Sequence, residues 1–154
     1  MAKTNEMTHD SRKDFEEKRK FGEAYDFIRG ITLILGVTPI AFAVLCFLFV
    51  DSVFGINSAP QYNSILDIPW SPESWGTFSG VCGVIILVGF FRNKHRQVGS
   101  GCVLMGAFNF ALAYFVLKDC LKYDTSFGSL AIMFFLALGI IYLDRARLGY
   151  NWRR

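Results

Sequence analysis

Four stretches of this chain contain no Asp, Glu, Lys, Arg or His: Ile31 to Val50, Gly76 to Phe91, Gly99 to Leu117 and Phe127 to Leu143. The 16 basic and 13 acidic residues lie outside them. Ionisable side chains inside a membrane span usually mark an ion or proton path. Their lack in these stretches speaks against an ion-coupled pump. Histidine is scarce too, with only His9 and His95, both in charged surroundings. Neither an H-E-x-x-H pair nor a glycine-rich phosphate loop followed by Lys occurs, so no enzyme class is indicated. The four cysteines form no C-x-x-C pair. A redox dithiol and a structural zinc site are therefore not expected, and Cys46, Cys82 and Cys102 read as small apolar packing residues. No cofactor is expected. The net charge of +3 is mild, and the basic residues of the N-terminal segment are matched by acids, which gives no case for nucleic-acid binding.

What is abundant is apolar. Hydrophobic residues make up 53% of the 154 positions, and 16 are Phe. The mean hydropathy is +0.34. Ile31 to Val50 is twenty residues long. At about 1.5 Å per residue a helix of that length crosses a hydrocarbon core of about 30 Å. The sequence thus predicts an all-α integral membrane protein with spans at 31–50, 72–91, 99–117 and 127–143. Ser71-Pro72-Glu73 reads as an N-cap, a Pro in the first helical turn and an acid beside it, which sets the start of the second span. The first apolar run begins too late and is too long for a signal-peptide h-region, so it is expected to stay as an anchor.

Basic residues assign direction. Fourteen fall before the first span, in the 92–98 turn or after the fourth span, whereas the 51–74 region has none and the 118–126 loop has only Lys118 and Lys122. The positive-inside rule then puts both termini in the cytoplasm and gives an up-down-up-down bundle in the cell's inner or plasma membrane. The even number of spans agrees.

Between and around the spans the sequence is less regular. Residues 1–29 form a charged cytoplasmic segment with a helix over about 11–29. Its opposite charges pair at i,i+4 in Arg12–Glu16, Lys13–Glu17, Asp14–Lys18, Glu16–Lys20 and Arg19–Glu23. Phe21, Ala24, Tyr25 and Ile28 form a short stripe on it. The helix either lies at the interface or continues the first span. The outer loop 51–71 holds Pro60 and Pro69 among many apolar groups and is expected to pack on the bundle or rest at the interface. Residues 144–154 read as a basic tail.

Within the spans three features stand out. Asn109 is an amide near the centre of the third span, where it either bonds across a helix interface or lines a pore. Small residues run along the second and third spans at Gly76-x-x-x-Gly80, Ser79-x-x-x-Gly83, Gly106 and Ala107-x-x-x-Ala111. They suit close helix packing within the chain or between copies. Pro39 removes a backbone donor from the first span and marks a kink or a hinge.

The charged N-terminal segment, the four closely linked spans and the basic end DRARLGYNWRR resemble the small four-span membrane proteins of tailed bacteriophages, some of them holins or lysis accessories. The resemblance covers the whole chain in architecture, with no motif, so no residue roles come with it. It implies an oligomeric pore as the alternative to a non-catalytic protein acting by helix–helix or partner contacts. The bilayer, a second copy or a membrane-protein partner are the expected contacts. The small multidrug transporters also have four spans, but they need a first-span glutamate where this chain offers Thr32 and Thr38.

Overall fold

A computed structural model describes residues 9–48, 71, 73–123 and 129–151. Among them the chain is all-helical: α1 His9–Leu48, α2 Glu73–Phe91, α3 His95–Tyr123 and α4 Ser129–Asn151. Each is long and apolar enough over part of its length to cross a membrane. The outer stretch 51–70 and the 124–128 connection, read from sequence as loop regions, lie outside the described residues.

The chain divides into two units, Met1–Ile31 and Thr32–Arg154. In the first, the helix carries an Arg19–Glu23 ion pair of 3.4 Å, with both side chains well exposed. Such a pair is worth at most about 0.5 kcal/mol. The other expected i,i+4 pairs involve side chains outside the described set. From His9 onward the charged residues belong to the same helix, α1, as the first apolar stretch.

The second unit holds the rest. Consecutive helices pack antiparallel, as the glycine registers show. Gly36 faces Ile86 and Leu87, Gly83 faces Pro39, and Gly76 faces Cys46, so α1 numbers rise as α2 numbers fall. Gly101 faces Ile86 between α2 and α3, while Gly99 and Gly106 face Ala146 and Leu143 between α3 and α4.

The reversal between α2 and α3 is fully specified. Asn93 takes a left-handed φ of 53°, which Asn tolerates better than most residues. Lys94 N–H donates to Gly89 O at 2.8 Å and Asn93 N–H to Phe90 O at 3.1 Å, a Schellman closure of α2. Lys94 O then accepts from Gln97 N–H at 2.9 Å, which opens α3.

Two helices run further than the apolar stretches alone indicate. α3 continues to Tyr123 and α4 to Asn151. The stretch read as a basic tail from 144 is helical as far as 151, and it buries Arg145, Ala146 and Gly149. Gly139, Tyr142, Ala146 and Gly149 keep helical spacing across the end of the apolar stretch, and that spacing is the sequence signal for the extension.

Candidate functional site

Inside the second unit, polar side chains are few, and most bind backbone carbonyls. Pro39 has no N–H, so the carbonyl four residues earlier, Leu35 O, loses its helical donor. Tyr142 of α4 supplies one: its hydroxyl donates to Leu35 O at 2.9 Å. Ser79 of α2 donates to Pro39 O itself at 2.9 Å. Thr38 donates to Ile34 O within α1 at 2.9 Å. In hydrocarbon, where water cannot serve, an unmet carbonyl is costly. The proline position is thus held from two neighbouring helices, and Pro39 is completely buried.

Asn109 is buried, and its amide nitrogen donates to Met105 O of its own helix at 2.8 Å. That bond runs along α3 and not across an interface. The glycines singled out from the sequence sit against neighbours in the same chain. A Cβ on Gly76 would meet Cys46 Cβ at 2.8 Å, and one on Gly83 would meet Gly36 O at 2.8 Å. At Gly80 it would approach Ala43 Cβ at 3.2 Å, and at Gly106 Gly139 O at 3.3 Å. The second-span set therefore packs on α1, and Gly106 packs on α4.

Cys46, Cys82 and Cys102 are buried free thiols, while Cys120 is half-buried. Among the described residues no group of three or more His, Cys, Asp or Glu is placed to hold a metal ion.

Sequence reasoning passes over Tyr142 and also Arg145. Arg145, placed by sequence in the tail, is only 8% exposed, and its Nε donates to Thr32 Oγ1 at 2.6 Å. It lies three residues after Tyr142, on the face of α4 that meets α1. Beyond it, Gly149 lies so close that a Cβ there would meet His95 O at 2.7 Å, and Tyr150 and Ser100 hydroxyls are 3.1 Å apart. A pocket of about 430 Å³ at this end is lined by Lys94, His95, Arg96 and Tyr150 among others.

The opposite half of the unit is aromatic. Phe108 of α3 is stacked on Phe78 at 5.5 Å and meets Trp75 and Phe42 edge-on at 5.4 and 5.9 Å. Such pairs each contribute about 0.5–1.5 kcal/mol beyond burial. Ala107 and Ala111 leave room beside these rings, and with Ser74, Trp75, Phe78 and Phe108 they line an apolar groove of about 370 Å³. Ser74 Oγ is enclosed there with no hydrogen-bond partner among the described residues.

No protein-family model, curated protein or solved structure matches the chain.

Proposed function

We propose that the chain inserts in the cell's inner or plasma membrane as an up-down-up-down bundle with both termini cytoplasmic, and acts without a catalytic site through helix–helix or partner contacts in the bilayer. The observation that carries this reading is where the small residues go. Gly76, Gly80, Gly83 and Gly106 all face neighbours of the same chain. An oligomeric pore of the holin type would use those faces between copies. With them occupied, the surface left for lateral contact is the apolar exterior, including Phe47, Val81, Val103 and Phe134. A groove beside Phe78 and Ala111 opens on it.

The polar side chains support the same reading. Ser79, Asn109 and Tyr142 each donate to a backbone carbonyl. The Ser79 and Tyr142 bonds join helices, the Asn109 bond stays within α3, and groups engaged with carbonyls in this way are not poised to move protons or attack a substrate.

Controlled expression in a bacterial host with a potential-sensitive dye tests it. The membrane potential and growth are expected to stay unchanged at high expression. A sudden depolarisation at a reproducible time, weakened by Asn109→Leu, would replace this reading with the pore.

A further inference from the structure

Arg145 carries a charge into the helix bundle, and the described residues do not balance it. Its Nε is bound to Thr32 Oγ1, a neutral hydroxyl. Among the described residues no carboxylate forms an ion pair with it. Asp144, next in the chain, is on an exposed face of α4. A buried cation without a counter-charge is costly, and buried charges are as a rule paired.

The guanidinium is nevertheless not sealed. Ser74 Oγ is the one buried side-chain polar atom among the described residues that lacks a partner. The Nη nitrogens, which make no bond to those residues, therefore open onto accessible space. Thr32 fixes the plane of the group by holding Nε, and the two Nη donors are left as a fork. That geometry matches two oxygens of a phosphate, which a guanidinium takes in a bidentate manner. α4 continues six residues beyond Arg145 to Asn151. At about 1.5 Å per residue, Arg145 lies only about 9 Å inside the end of its helix, within reach of the headgroup layer.

We propose that Arg145, held by Thr32 at the seam of α1 and α4, is a binding site for a phosphate oxyanion, supplied by an anionic lipid headgroup or by free phosphate. The site rests on the membrane reading given above, since that reading brings a headgroup to this level.

The full chain in nanodiscs provides the test. Recovery in phosphatidylcholine discs is required by the membrane reading alone, and a chain that fails to insert overturns that reading and this one with it. In inserted protein, thermal unfolding is followed as phosphatidylglycerol replaces phosphatidylcholine, and separately as inorganic phosphate is added. The midpoint should rise with one of them. A rise with phosphatidylglycerol alone identifies the lipid source, and a rise with inorganic phosphate identifies the soluble one. Arg145→Gln should weaken the apparent affinity about 10- to 100-fold, as expected for lost charge-assisted bonds. Arg145→Lys, which keeps the charge and loses the fork, should fall between and guards against a Gln variant that does not fold. Lys94→Gln with Arg96→Gln should retain the effect. The site is overturned if neither anion shifts the wild-type midpoint, if Arg145→Gln or Arg145→Lys responds as wild type does, or if the Lys94 and Arg96 changes abolish the response.

Discussion

At the level of single residues, Pro39 and Tyr142 act as one device. The proline removes the donor for Leu35 O, and a hydroxyl from a helix 107 positions away supplies another. Tyr142→Phe should therefore cost about 1–2 kcal/mol of unfolding free energy in lipid micelles. In a Pro39→Ala background the restored N–H can meet Leu35 O, and the same Tyr142→Phe change should cost less than half as much. Equal costs in both backgrounds would show that the tyrosine acts by packing alone. Pro39 was legible as a break in the first span; its partner was not. Tyr142 is an unremarked aromatic in an apolar run, and nothing in its local sequence says which carbonyl it faces. Asn109 was legible as a polar group needing a partner, but its own helix supplies that partner through Met105 O.

Helix pairing depends on where a Cβ can fit. Gly83 has no room: an added Cβ meets the Gly36 carbonyl oxygen at 2.8 Å and Ile40 Cγ1 at 2.8 Å. Backbone cannot swing aside as a side-chain tip can. Gly83→Ala should destabilise by about 1–3 kcal/mol, as overpacking does. Gly30 has open space around its Cβ position. Gly30→Ala should be neutral or stabilise by up to about 1 kcal/mol through helix propensity. A thermal or denaturant series on both variants measures the contrast, and a loss at Gly30 equal to that at Gly83 would contradict this packing. The spacing of Gly76, Gly80 and Gly83 was visible in sequence, although it did not reveal α1 as the facing helix. The extension of α4 to Asn151 was hidden because charge ends an apolar run without ending a helix. Arg145 was counted with the tail for that reason.

For the whole molecule, orientation in the membrane is the open quantity that labelling can fix. Cys46, Cys82 and Cys102 are buried, so a Cys120→Ser background leaves little reactive thiol. In it, Ser58→Cys should react with an impermeant maleimide added outside intact cells, and Arg96→Cys should react only after the membrane is opened. The reverse pattern would invert the proposed topology. By itself the sequence determined that there are four apolar helices of spanning length, because charge, hydropathy and helix length are properties of a linear stretch and a helix meets its own backbone hydrogen bonds locally. Only the tertiary structure decided which face of each helix is inside. A span is apolar on both its lipid face and its buried face, so no amphipathic stripe distinguishes them. The bonds that join α4 to α1, from Tyr142 to Leu35 and from Arg145 to Thr32, reach across 107 and 113 positions, a distance over which local pattern carries no information.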